Sequence, residues 1–264
     1  MLLRRYHWIE IADQSGCPRL LRDGLTDYLR HAEATMRPYD PAVPRLKRAF
    51  DASGAQRVLD LCSGAGGPWL PLLDSWEKLG AAPAEVRLTD QRPSPAAWAR
   101  ATDASRGRLR AHPEPIDARA VPKELDGFRT LFAAFHHFRP AQAEAILRDA
   151  VEKRQGIAIL EVTERSWRAV ALACFSWLFV MLLTPGIRPV SLRRLVLTYL
   201  IPVIPLLITF DGVVSCLRTY TPEELAELAR RAGGDHVWEI GQANYPGFPI
   251  PVTWLIGVPR DASA

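Results

Sequence analysis

The residues best able to do chemistry stand at the ends of apolar runs. Val58-Leu59-Asp60-Leu61 leads straight into Cys62-Ser63-Gly64-Ala65-Gly66-Gly67. Later runs close on Asp90-Gln91, on Phe135-His136-His137-Phe138 and on Glu161, and Asp117-Ala118 follows a further run. A strand that passes through small residues into a helix lets the backbone approach a ligand where a Cβ would collide. The helix start offers unpaired N–H groups beside it. Three ligand classes use such a turn. A dinucleotide site wants GxGxxG with the pyrophosphate on the helix dipole, but Gly64-Ala65-Gly66 runs on to Pro68-Trp69 and the third glycine is missing from its place. A phosphate-binding GxxxxGK[ST] loop needs a lysine, and none is near. The third class is a nucleoside without a pyrophosphate. The Asp60 carboxylate before the turn disfavours phosphates and suits a cationic group. A plain tight turn is the alternative to all three.

On these residues the chain resembles the class I S-adenosylmethionine-dependent methyltransferases, whose first strand ends in an acid followed by a GxGxG-like loop. The family's acid matches Asp60 and its last two glycines match Gly64 and Gly66, while Cys62 replaces the first. The resemblance covers roughly residues 40–162 and 219–258. It implies S-adenosylmethionine as cofactor, with backbone contacts from Cys62, Ser63, Gly64, Ala65 and Gly66 and with Asp60 holding the ammonium, directly or through water. It implies Asp90, with Gln91 beside it, as acceptor for the ribose hydroxyls, a bidentate task suited to a carboxylate. It also implies Asp117-Ala118 at the adenine amine.

Methyl transfer from a sulfonium is an in-line displacement, so the protein mainly aligns the partners. A general base is needed only for a protonated nucleophile. Histidine as a residue type can serve as a base near neutral pH, which points to His136 and His137, and Glu161 ends the fifth strand facing the same edge. These three are the catalytic candidates. Each has a structural alternative, a scaffold histidine or a paired buried acid. The pattern calls for no metal: Cys17, Cys62, Cys174 and Cys216 form no CxxC pair or zinc spacing.

The elements that must position these groups alternate. Strands are expected at 58–61, 85–89, 109–112, 130–135 and 157–162, with helices at 69–79, from Ser94 through 104, and at 141–153. The fifth strand is nearly pure apolar, as when both faces are covered. Thr221-Pro222-Glu223-Glu224 starts a last helix, Gly233-Gly234 ends it, and strands at 236–240 and 252–258 follow, joined by a Pro- and Gly-rich loop. The expected fold is α/β: a mostly parallel, doubly wound seven-stranded sheet with an antiparallel C-terminal edge hairpin. Residues 1–53 are expected as an amphipathic helical cover, with Arg22, Asp23 and Tyr39 as candidates to close over the cofactor. The sheet domain takes 54–164 and 219–264, and an apolar insertion after the fifth strand takes 165–218.

Residues 165–210 contain no Asp or Glu, five Arg, and the apolar runs 170–183 and 195–210. Neither run reaches the ~20 residues of a membrane span, and Pro202 and Pro205 should bend the second. A helix apolar on all sides buries itself against something. That leaves a lid over a hydrophobic small-molecule substrate, peripheral contact with an anionic membrane through 165–218, or a homo-oligomer interface.

Composition narrows the classes further. The chain has 264 residues, 48% hydrophobic and 23% charged, with 33 basic and 29 acidic residues giving +4. This excludes a disordered tail or a disulfide miniprotein. Outside 165–210 the charge falls to −1, so there is no basic stripe for nucleic acid. The first ten residues lack a signal-peptide core, and the reading is a cytoplasmic protein, at most peripheral on the inner face of a membrane. The expected activity is methyl transfer to a hydrophobic or lipid-like small molecule. The competing readings are a silent cofactor-binding membrane adaptor and a NAD-dependent oxidoreductase.

Overall fold

The computed structural model describes residues 3–244 and 249–260. In chain order the elements are α1 (Arg19–Met36), α2 (Val43–Ala52), β1 (Arg57–Asp60), α3 (Trp69–Glu77), β2 (Glu85–Leu88), α4 (Pro95–Ala104), β3 (Leu109–Ala111), β4 (Phe128–Phe132), α5 (Pro140–Glu152), β5 (Ile157–Glu161), α6 (Trp167–Cys174), α7 (Ser176–Leu183), α8 (Leu192–Leu195), α9 (Val203–Arg218), α10 (Pro222–Ala232), β6 (His236–Ala243) and β7 (Val252–Pro259). They form two compact units. One comprises Met1–Met36 and Thr163–Tyr220, the other Arg37–Val162 and Thr221–Ala264. The segment read as one cover, 1–53, therefore divides at residue 36.

The second unit is the α/β sheet, seven strands in the order β3-β2-β1-β4-β5-β7-β6. The first five strands are parallel, and β7 runs antiparallel to both β5 and β6. This is the expected fold class, edge hairpin included. Four residues of the Pro- and Gly-rich loop of that hairpin, 245–248, lie outside the described residues. Both faces are buried, as central parallel strands require. Val58, Val86, Leu88, Phe128 and Leu160 pack with Leu46 and Phe50 of α2, Trp69 and Trp76 of α3 and Trp98 of α4. The alternating residues Leu59, Leu131 and Ile159 are buried on the other face. At α10 the expected start is realised as a capping box: Thr221 Oγ1 accepts from Glu224 N at 3.3 Å and Glu224 Oε2 accepts from Thr221 N at 2.9 Å.

Two expectations shift. The fourth strand, expected at 130–135, runs Phe128–Phe132. Arg129 lies inside it, buried, and donates its guanidinium to Asp149 of α5 at 2.7 Å. Ala133 then turns out with φ +45, and Phe135–His137 form a 3-10 turn instead of a strand end. The N-terminal amphipathic stretch is also less helical than expected. Helix α1 begins only after Pro18, and the chain before it is tied down by polar contacts: Asp211 accepts from Ile11 N at 2.7 Å and Ala12 N at 3.0 Å, and Arg218 reaches Glu10 and Trp8 O.

The first unit has its own core of Tyr28, Ala32, Val180, Ile187, Ile204 and Ile208, drawn from α1, α7, the segment after α7 and α9. Each expected apolar run is broken. The α6–α7 pair bends by 44° and the segment from α8 to α9 by 74°, the latter at Ile201-Pro202, where proline supplies no N–H. Among the described residues no single helix is long and apolar enough to cross a membrane.

Candidate active site at the carboxyl edge of the sheet

The chain order reverses between β1 and β4, and ligands of open α/β sheets bind beyond the carboxyl ends of the strands at such a point. The glycine loop leaves β1 there. Within six residues the backbone takes left-handed φ four times, at Cys62 (+59), Gly64 (+51), Gly66 (+112) and Gly67 (+58). Only glycine does so without strain, so Cys62 is held by its surroundings. Ser63 N donates to Thr89 O at 2.9 Å, Ser63 Oγ to Asp60 O at 2.9 Å, Gly66 N to Ser63 O at 2.7 Å, and Trp98 Nε1 to Gly64 O at 3.0 Å. A Cβ on Gly66 would meet that of Ala101 at 3.3 Å, whereas one on Gly64 would meet nothing within 4 Å. The loop is therefore packed from below by α4 and open at Gly64, a cradle bounded by backbone.

Two carboxylates border it. Asp90 ends the segment after β2 and accepts from Gly64 N at 2.9 Å and from Arg92 N at 2.8 Å. Burial raises its pKa against these hydrogen bonds. Asp60 is 1% exposed and accepts from Thr130 Oγ1 at 2.7 Å. Burial pushes its pKa up to about 6, because the hydroxyls of Ser63 and Thr130 and the Trp69 indole outweigh only part of the desolvation and Asp90 adds a like charge. These neighbours bring no positive charge, so a cationic ligand group has something to neutralise there. Burial also raises the Cys62 thiol, with Asp90 and Asp60 adding to the effect, which keeps it a neutral small side chain.

The other expected residues are placed less directly. Gln91 is exposed, and Ala118 is buried within the loop 116–119, which is tied to the segment after β2 by Ile116 N donating to Asp90 O at 2.9 Å. Asp117 is already held by a bidentate Arg119 at 2.6–3.1 Å, which carries its pKa downward. Thr89, Trp98, Thr130 and Arg119 escaped the sequence reading. Thr130 lies opposite Asp60 in the β1–β4 register.

The histidines separate. His136 is 3% exposed, with Nδ1 2.8 Å from Glu161 Oε2 while its backbone N donates to Glu161 Oε1 at 3.1 Å. Burial works to raise Glu161, but the charges of both histidines and these hydrogen bonds prevail and its pKa is lowered. His137 is half-buried and stacks on His136 with ring centroids 4.3 Å apart. Tyr39, a candidate for the cover, is instead core, 1% exposed and edge-on to Phe132 at 5.0 Å. Arg22 donates to the carbonyls of Ala12, Gln14 and Cys17 and holds the N-terminal loop.

No family model matches the chain, and no curated protein does. Among solved structures it is similar to the O-methyltransferase NcsB1 of neocarzinostatin biosynthesis, solved with S-adenosylmethionine and 2-hydroxy-5-methyl naphthoic acid, at 16% identity and TM-score 0.47 over 81% of this chain and 52% of that one. It is similar to an O-methyltransferase family protein from Burkholderia thailandensis at 18% identity and TM-score 0.47, over 86% and 57%. The mitomycin 7-O-methyltransferase MmcR follows at 15% identity and TM-score 0.46, over 83% and 54%. The chain thus spans a little over half the length of the solved structures it matches, and all three are named as O-methyltransferases.

Proposed function

We propose that the chain is an S-adenosylmethionine-dependent methyltransferase acting on a hydrophobic small molecule. The observation that carries this is the uncompensated Asp60 carboxylate beside a backbone cradle whose open N–H edge is already engaged by Asp90. The residues fit the cofactor. Asp60 takes the ammonium, and the backbone groups of 62–66 other than the N–H groups of Ser63, Gly64 and Gly66, which donate to Thr89, Asp90 and Ser63, take the amino-acid part. Each Asp90 oxygen accepts one backbone N–H and has a lone pair left for a ribose hydroxyl. Asp117 reaches the adenine amine only by sharing its oxygens with Arg119. Bound there, the cofactor supplies an activated methyl, and the protein supplies alignment.

Proton removal from the acceptor falls to His137. His136 is committed to Glu161 and positions its neighbour by stacking. An acceptor without a proton to lose needs neither. The insertion 165–218 is the segment we assign to the acceptor: its apolar side chains suit a hydrophobic molecule, and it gives the enzyme contact with the membrane where such molecules dissolve.

Calorimetry with S-adenosylmethionine and with NAD tests the cofactor. Binding of S-adenosylmethionine supports the proposal, and binding of NAD alone overturns it. A lipid-extract screen for products one methyl heavier then identifies the acceptor.

A further inference from the structure

Large apolar side chains are normally scattered when exposed, and a concentrated patch marks an interaction site. Here they are concentrated. Of the 21 large hydrophobics that stand exposed among the described residues, all but Leu79 and Val237 belong to the first unit, and thirteen fall within 165–210. On α7 only Val180 is buried, and Leu182 is 74% exposed. On α9 the sides divide: Ile204, Leu207 and Ile208 face the unit's core, whereas Leu206 (65% exposed) and Phe210, one turn apart, face away from it. Two hydrogen bonds join these segments into one neighbourhood. Tyr199 Oη donates to Met181 O, laying 199–201 along the end of α7, and the Ser176 and Thr209 hydroxyls meet at 3.1 Å, laying α9 beside its start.

The exposed charge within 165–210 has one sign. No acid lies within 165–210. Of its five arginines, Arg165 and Arg194 are buried, Arg194 on Asp27 at 2.9 Å and on the carbonyls of Ile187 and Pro189. Arg168, Arg188 and Arg193 are exposed. A second copy of the chain would bring the same three cations against these, whereas an anionic lipid surface complements them. The two pairs bend by 44° and 74°, so the exposed apolar side chains stand on short helices.

We infer that the face formed by α7, residues 199–201 and the outer side of α9 docks in the plane of a membrane, its leucine and aromatic side chains in the acyl boundary and Arg168, Arg188 and Arg193 on anionic headgroups. This deepens, and rests on, the membrane contact proposed for 165–218, while being independent of the cofactor assignment.

The test is flotation of the full chain with phosphatidylcholine vesicles, with and without phosphatidylserine. Binding is expected on the anionic vesicles, reversed by salt. Leu182→Asp/Leu206→Asp and, separately, Arg188→Glu/Arg193→Glu should each lower it about tenfold or more. Because the substituted positions are exposed, the fold should survive, and S-adenosylmethionine calorimetry on the same variants reports on it. Vesicle binding lost with cofactor binding kept supports the docking face. No flotation of the wild type at low salt, unchanged flotation of the variants, resistance to alkaline carbonate extraction, or a dimer that the leucine variant dissolves would each overturn it. Cofactor failure with intact flotation overturns only the methyltransferase reading.

Discussion

Asp60→Asn should make the protein more stable and a worse cofactor binder, with both effects switched by pH. In the fold Asp60 holds its proton up to about 6, against 3.8 for an ordinary carboxyl. The folded state therefore binds this proton more tightly than the unfolded chain. The group favours folding below pH ~4, and that contribution is lost as pH rises through about 6. The difference is worth about 3 kcal/mol at 1.36 kcal/mol per pK unit, an order-of-magnitude figure. Asparagine keeps an oxygen for Thr130 Oγ1, which sits 2.7 Å from Asp60 Oδ1, and carries no charge. Measured as variant minus wild type, stability should climb by about 3 kcal/mol between pH 4 and pH 8. At roughly 2–4 °C per kcal/mol that is a relative gain of about 6–12 °C in the melting temperature of the sheet unit. A difference that does not change with pH would refute the reasoning, because the charge would then cost nothing where it is buried. The cofactor side runs opposite. The wild type should lose S-adenosylmethionine affinity about tenfold per pH unit below 6. Near pH 6 it should release a proton on binding, visible by calorimetry in buffers of different ionisation heat. The variant should bind weakly at all pH values and release none.

The remaining tests address single contacts. Asp90→Ala should weaken S-adenosylmethionine binding by more than tenfold in calorimetry, and unchanged affinity would remove Asp90 from the ribose role. Gly66→Val forces a branched side chain onto φ +112 and onto Ala101, and should cost about 1–3 kcal/mol in urea unfolding; an unmoved midpoint contradicts the packing described. His137→Ala should lower turnover about a hundredfold or more with cofactor affinity intact, and equal turnover would take the base role from His137. Arg129→Ala leaves Asp149 buried with Lys153 as its remaining cation and should cost about 3 kcal/mol, whereas Arg129→Met with Asp149→Leu should be near neutral.

What the chain declared in advance was whatever depends on neighbours in sequence. The glycine turn, the apolar strands, the Thr221 cap and the edge hairpin are local patterns, and each falls where it was expected or within a few residues of it. What it concealed depends on partners far along the chain. Arg129 lies just outside the expected strand and inside the real one, its guanidinium held by Asp149, twenty residues on. His136 and Glu161 read as two candidate bases and are one buried pair. Tyr39 read as a candidate for the cover and is a core aromatic set edge-on to Phe132. The cover itself divided because segment 37–53 carries Leu46 and Phe50 into the sheet's core, a packing choice that amphipathic spacing does not specify.

The same pairing logic separates structure from function in the sheet unit. A buried charge is costly unless it is paired. Asp149 is paired with Arg129 and Lys153, and Glu161 with His136. Each of these couples would cost more to break than to leave alone. Asp60 and Asp90 depart from this. Both are buried enough that desolvation wins, both have raised pKa values, and both border the one loop where four left-handed residues hold backbone N–H and carbonyl groups around an open glycine. Stability alone offers no reason to keep two acids in that state, since asparagine would keep an acceptor oxygen for Thr130 at Asp60 without the charge. A ligand bearing an ammonium and vicinal hydroxyls offers one, because it converts each penalty into binding energy. Perturbed acids at a sheet's switch point mark a site for that physical reason, and the methyltransferase proposal stands or falls on those two side chains.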